Sequence, residues 1–207
     1  LNLVKKKQFD TIYHEHYSYL SLHSTNNILK KFDLVIFNVE KISTHGGSLR
    51  IYIKNKISKA NKIDKSFKNI FEQEIKSNIF KKETMQKFSS SLEKTKKDFI
   101  NLLINLKLQN KKVAAYGAAA KGNTFLNYCN IGSSLIDFVV DKNNSKIGKL
   151  LPGSHLKIFS VNKLKKFKPD YLVILPWNIK GEIIRQIKNS NLKTKFITAI
   201  PKITINN

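Results

Sequence analysis

After Asn110 the chain alternates short apolar runs with stretches of helical periodicity, and few folds accommodate that alternation. Residues 113–116 form an apolar run ending at Gly117, residues 125–129 read as helical, and residues 135–140 form a run ending at Asp141. Further runs at 171–175 and 195–200 flank a helical stretch at 179–189. A β-α-β succession predicts an α/β unit with a mostly parallel sheet and helices on its faces.

The first half of the chain follows different periods. The polar start Ser24-Thr25-Asn26-Asn27 predicts a short capped helix over 24–32. Residues 34–39 and 48–54 read as two strands joined by a turn at His45-Gly46-Gly47, a hairpin whose turn carries a histidine. Between residues 64 and 108, Phe67, Ile70, Phe71 and Ile75, then Met85, Phe88, Leu92, Phe99, Leu102, Leu103 and Leu106, recur at helical spacing. They predict two amphipathic helices whose apolar stripes pack a core. The boundary between the two halves falls near residue 108.

Composition narrows the function classes. With 207 residues and 41% hydrophobic content the chain holds one large or two small domains. No apolar run approaches the ~20 residues that span a bilayer, which predicts a cytoplasmic protein without a membrane anchor. The single cysteine, Cys129, excludes an internal disulfide and a multi-thiolate zinc site, and is expected to pack in a helix. The net charge of +24 suggests nucleic acid, yet only Arg50 and Arg185 of the 38 basic residues are arginine. Base-edge readers favour arginine forks, so evenly scattered lysine reads as solvated surface, and no nucleic-acid partner is expected. Anionic ligands should still be attracted.

Two clusters carry most of the chemistry. Tyr13-His14-Glu15-His16 and Thr44-His45-Gly46-Gly47-Ser48-Leu49-Arg50 hold three of the five histidines beside a carboxylate and a phenol. Imidazole titrates near neutrality, so such a group can move protons. Three readings stand on spacing alone: a hydrogen-bonded network, acid/base catalysis, and a metal site of His14, His16 and His45. A second feature is the turn Gly117-Ala118-Ala119-Ala120-Lys121-Gly122-Asn123, with Asp141 ending the next strand. Small residues at a strand-to-helix turn let backbone N–H groups approach a phosphate. Ala119 stands where a dinucleotide fingerprint has glycine, and Lys121 precedes Gly122 where a Walker loop reverses them. The turn therefore reads either as close helix–strand packing or as an anion site, with Lys121 favouring the latter.

Six ordered motifs then point to one family: residues 9–19 around Tyr13-His14-Glu15-His16, His45-Gly46-Gly47-Ser48-Leu49-Arg50, the turn at 116–123, Val140-Asp141-Lys142-Asn143, Leu151-Pro152-Gly153-Ser154-His155 and Pro176-Trp177-Asn178. Their order resembles the carboxyl-terminal portion of sugar C-methyltransferases. The resemblance implies that residues 1–54 are the last helix and hairpin of a class I methyltransferase domain, 55–108 a helical linker, and 109–207 a Rossmann-like domain for a nucleotide-linked keto sugar. It implies S-adenosylmethionine as methyl donor. It also implies an amino-terminal zinc module and a donor-binding domain, in cis or as a separate chain, because neither clustered cysteines nor a glycine-rich donor loop precedes Tyr13. A start at Leu1, with Met85 the only methionine, likewise predicts a piece of something longer.

Within that family logic His16 is the expected base, Glu15 orients an imidazole, and Tyr13 donates to a developing enolate oxygen. His14, His45, Gly46, Gly47 and Arg50 would shape the sugar site, and Gly117, Lys121, Asn123 and Asp141 the nucleotide side; no metal is expected. The rivals are a non-catalytic nucleotide-binding module and, more weakly, an oxidoreductase, which Ala119 disfavours.

Overall fold

The computed structural model describes residues 1–207 as two units, Leu1–Lys5 with His16–Phe88 and Lys6–Glu15 with Ser89–Asn207. The first contains helix α1 (Asn2–Lys5), helix α2 (Leu22–Lys30), strands β1 (Leu34–Ile42) and β2 (Ser48–Asn55), helix α3 (Lys65–Lys76) and the start of helix α4 (Lys82–Leu108). The expected hairpin forms, with β1 and β2 antiparallel from Leu34↔Asn55 to Ile42↔Ser48. Ile36 and Val39 are three residues apart yet both buried, because a register irregularity between Ile36 and Asn38 turns the later residue inward. They pack with Leu22 and Ile70, flanked by Leu29, Ile51, Phe67 and Phe71.

Helix α2 starts earlier than its polar cluster suggests. Ser21 is the cap: its hydroxyl accepts the Ser24 N–H and the Ser24 hydroxyl accepts the Ser21 N–H, both at 2.9 Å. Glu74 of α3, 1% exposed, adds a second cap, its two oxygens accepting the Leu22 and His23 N–H groups at 3.0 Å each. A carboxylate is favoured there by the unpaired N–H groups and dipole of the helix start.

The second unit adds β3 (Val113–Tyr116), α5 (Ala120–Tyr128), β4 (Val139–Asp141), β5 (Ile158–Ser160), α6 (Lys163–Phe167), β6 (Tyr171–Ile174), α7 (Lys180–Lys188), β7 (Lys195–Thr198) and β8 (Thr204–Asn206). Its six strands lie in the order β5-β4-β3-β6-β7-β8, all parallel except β8. That is the 3-2-1-4-5-6 order of a doubly wound, Rossmann-like sheet, as expected. Ala114, Tyr116, Val140, Leu172, Ile174 and Phe196 share one buried cluster with Leu164 of α6 and Ile183 and Ile187 of α7. Their neighbours Ala115, Val139, Val173 and Ile197, buried to within 1%, point to the opposite face by the two-residue period of a strand. No helix is long and apolar enough to cross a membrane.

Three details differ from the sequence reading. Of residues 135–140, only the end joins the strand Val139–Asp141, since Asp137 turns its side chain to the strand edge, Oδ2 accepting the Val113 N–H at 3.0 Å and Oδ1 the Lys107 ammonium at 2.8 Å. Helix α5 starts at Ala120, where Ala120-Lys121 are good helix formers, and Cys129 is its buried C-cap residue, its thiol pushed up to about 12 by burial. The strand–helix alternation begins after Leu108, whereas the packing unit reaches back to Ser89 inside α4, where Phe99 and Leu103 are fully buried and Phe99 meets Phe125 of α5 at 5.1 Å.

Candidate functional site

In the second unit a 3₁₀ turn at Phe9–Thr11 leads into an irregular segment carrying Tyr13, His14 and Glu15. Phe9 is 6% exposed and seats its ring on Phe125 at 6.0 Å and Tyr128 at 4.7 Å, both in α5 or at its end. Beyond it Tyr13 is half-buried while His14 and Glu15 are exposed, with His14 Nε2 4.0 Å from Glu15 Oε1 and the Tyr13 ring edge-on to His14. His16 opens the long stretch of the first unit, exposed and edge-on to Tyr19 at 6.4 Å. No three His, Cys, Asp or Glu side chains come together as a metal site would require.

The hairpin turn of the first unit needs its glycines. His45, Gly46 and Gly47 have φ of 55°, 93° and 117°, three successive left-handed positions. A Cβ on Gly47 would also lie 2.7 Å from the Asn2 amide nitrogen. The turn projects His45 into solvent, and Arg50 on β2 faces Glu40 on β1 across the strands at 3.5 Å.

The sheet order of the second unit changes direction between β3 and β6, the position where open α/β sheets bind ligands beyond the carboxyl ends of their strands. Gly117 follows β3 there with φ 96°, and a Cβ on it would lie 2.5 Å from Pro176 Cδ, so the turn has no room for a side chain. The next amide, Ala118 N–H, is donated to Asp141 Oδ2 at 2.7 Å, and Asp141 Oδ1 accepts the Asn143 N–H at 2.8 Å. Lys146 completes this ring, its ammonium 2.8 Å from the Ala118 carbonyl and 4.0 Å from Asp141 Oδ2. Asn123 buries its Oδ1 without a hydrogen-bond partner. Beside Asp141 a cleft of about 370 Å3 opens between the ends of β4 and β5 and helices α6 and α7, lined by Lys142, Ser160, Asn162, Lys165 and Gln186 among others.

Lys121 is turned elsewhere. It is 7% exposed, with its ammonium 5.0 Å from the centroid of the Trp177 ring. Burial lowers its pKa, and the charge of Asp10 acts in the opposite direction. Asp10, 1% exposed, accepts the Trp177 Nε1–H at 2.6 Å. Burial pushes its carboxyl up to about 6, against the pull of the Trp177 hydrogen bond and the Lys121 charge. Asp10 and Trp177 were not singled out as site residues by sequence, although both lie in the ordered motifs. They are 167 positions apart, and no local pattern announces their pairing.

Residues 43–201 match the family described as the C-methyltransferase C-terminal domain. The chain is also similar to the C-methyltransferase NovU of Streptomyces niveus, 32% identical over 203 residues, which is 98% of this chain and 48% of that relative, so it spans about half the relative's length. The match to NovU takes in residues outside the family-model span, and the family-model match covers the hairpin turn, α3, α4 and the sheet up to Pro201. On this fold, with these motifs in this order, the chain belongs to the C-methyltransferase family through the family's C-terminal domain.

Proposed function

We propose that this chain supplies the proton-transfer and nucleotide-sugar half of an S-adenosylmethionine-dependent C-methyltransferase acting on a nucleotide-linked keto sugar. The observation that carries the reading is the length of the likeness to NovU, 98% of the chain, beside the exposure of His14, Glu15 and His16. His16 removes a proton from the carbon next to the ketone, and the Tyr13 hydroxyl donates to the oxygen on which enolate charge develops. Glu15 orients an imidazole, and His14 assists in holding the sugar. S-adenosylmethionine supplies the methyl group that the carbon nucleophile takes.

No residue of this chain is assigned to that donor. The turn after β3 is the place in this sheet where an adenosine cofactor would sit, but its Ala118 N–H is engaged by Asp141 and Ala119 replaces the fingerprint glycine. The donor domain and zinc module are taken to lie outside these 207 residues, in cis or on a separate chain. His45, Gly46, Gly47 and Arg50 are assigned to sugar recognition. Gly117, Asn123 and Asp141, with the cleft beside Asp141, are assigned to the nucleotide, and Lys121 adds positive potential from within. A cytoplasmic setting fits the single buried thiol.

The test is proton exchange. In deuterated buffer, without methyl donor, the protein should exchange the hydrogen next to the ketone of a nucleoside diphosphate keto sugar, and His16→Ala should slow that exchange by roughly 10²–10⁴. Exchange at the wild-type rate in the variant rejects His16 as base. Binding of the sugar nucleotide with neither exchange nor methyl transfer would favour the second reading, a non-catalytic binding module, which the doubly wound sheet order supports.

A further inference from the structure

The proton-transfer proposal leaves unused the most buried charged group near its residues. Asp10 sits at the carboxyl ends of β6 and β7 among Phe125, Val173, Leu175, Ala199 and Ile200, with a residual cavity of about 10 Å3, the space of a single water. A carboxylate in such walls is unfavourable unless its charge is met. It is met twice here: Trp177 Nε1 donates to Oδ2 at 2.6 Å, and the Lys121 ammonium lies on the same indole at 5.0 Å. Oδ1 is buried without a well-formed hydrogen bond. Phe9 adds an apolar anchor on α5, and the Thr11 hydroxyl closes the 3₁₀ turn on the Gln8 carbonyl at 2.7 Å. Phe9 alone would dock the turn. A buried ion adds a directional demand instead, since only one placement of the backbone brings its oxygen onto the indole N–H.

We infer that Asp10 is a positioning residue: through the indole of Trp177 it fixes the backbone from which Tyr13, His14 and Glu15 extend, and so sets their geometry for proton transfer. The inference rests on the methyl-transfer reading above. It also explains why the chain's only tryptophan stands in the loop after β6, at the change of strand direction.

The experiment uses the protein as its gene encodes it, with a nucleoside diphosphate keto sugar and S-adenosylmethionine. Trp177 is the sole tryptophan of these 207 residues, so the emission lost in Trp177→Phe isolates its signal and reports the clamp. Asp10→Asn should shift the emission maximum and lower kcat at least about tenfold while KM for the sugar stays within about twofold. Trp177→Phe, which keeps a ring but loses the donor, should lower kcat in the same manner and covers the case in which the Asp10 variant does not fold. A shifted emission with unchanged kcat reduces Asp10 to a structural anchor, an unshifted emission removes the clamp, and a rise in KM matching the fall in kcat makes it a binding defect; each overturns the inference. A wild-type protein without exchange or methyl transfer refutes the reading beneath it and thereby the catalytic purpose of the clamp, while the emission arm still shows whether Asp10 holds Trp177.

Discussion

The buried carboxyl of Asp10 makes a quantitative prediction about stability. Its ordinary value is 3.8, and burial pushes it up to about 6 in the folded chain. Between those values the unfolded chain has lost its proton while the folded chain still holds it, so the unfolded state binds fewer protons and stability falls as pH rises. Below about 3.8 the two states are protonated alike, and above about 6 the full penalty is present. With about 1.36 kcal/mol for each pH unit, the penalty amounts to about 3 kcal/mol. Because Asp10 is 1% exposed, solvent screening takes little from that figure. Asp10→Asn keeps an oxygen for the Trp177 N–H and removes the titration. Urea unfolding followed by Trp177 emission reads the second unit, and the informative quantity is the difference between wild type and variant, since every other carboxyl and histidine cancels in it. Relative to the variant, wild type should lose about 2 to 2.5 kcal/mol between pH 4 and pH 7.5, most of it before pH 6.5. A difference that stays constant over this range would refute the argument, because the folded carboxyl would then titrate where the unfolded one does.

Other perturbations follow from single contacts. Glu74→Ala strips one buried and one half-buried N–H group at the start of α2 of their acceptor and should cost about 2–4 kcal/mol, measured by thermal unfolding followed by circular dichroism because the first unit has no tryptophan. Gly117→Ala combines a φ of 96° with a Cβ 2.5 Å from Pro176 and should destabilise by about 2–4 kcal/mol; Gly148→Ala, at φ 86° with nothing nearby, should cost only about 1–2 kcal/mol for the backbone alone, so equal losses would deny the crowding at Gly117. His16→Ala, at an exposed position, should change stability by less than about 0.5 kcal/mol while slowing proton exchange, and a large stability loss would point to a structural role.

Much of the fold was legible because its signals are local. Residues 113–116 form a strand as read, since both faces of this sheet are covered and a continuous apolar run suits a parallel interior strand. The hairpin and the two long helices follow from periods of two and of three to four. Strands β5 and β8 escaped because three residues each are too few to establish a period. The site divides along the same line. The motifs at residues 13–16, 45–50 and 117–123 are visible as words in the sequence, and their backbone demands, such as left-handed glycines, follow from residue type. The use of Asp141 to hold Ala118, the inward turn of Lys121, and the capture of Asp10 by Trp177 are contacts between segments 23 to 167 residues apart, and they depend on the order of strands in the sheet.

That arrangement of Asp141 bears on how a nucleotide lies on the second unit. A phosphate on the turn after β3 would have to take the Ala118 N–H from a carboxylate that already accepts it at 2.7 Å, and would sit against that negative charge, with Lys146 at 4.0 Å as the compensating cation. Two like charges about 4 Å apart near a protein surface repel by about 4 kcal/mol, more than one backbone hydrogen bond returns. Uncharged hydroxyls meet no such barrier. A carboxylate has about four acceptor positions, and Asp141 spends two of them on Ala118 and Asn143, leaving it free to accept from a sugar hydroxyl. The nucleoside rather than the diphosphate is therefore expected beside Asp141, reaching into the cleft between β4, β5, α6 and α7. Asp141→Asn should weaken a nucleoside diphosphate by about tenfold in calorimetry and should not weaken inorganic pyrophosphate. If the variant instead binds the nucleoside diphosphate as tightly as wild type or more tightly, Asp141 accepts no sugar hydroxyl, and the orientation derived from its hydrogen bonds is reversed.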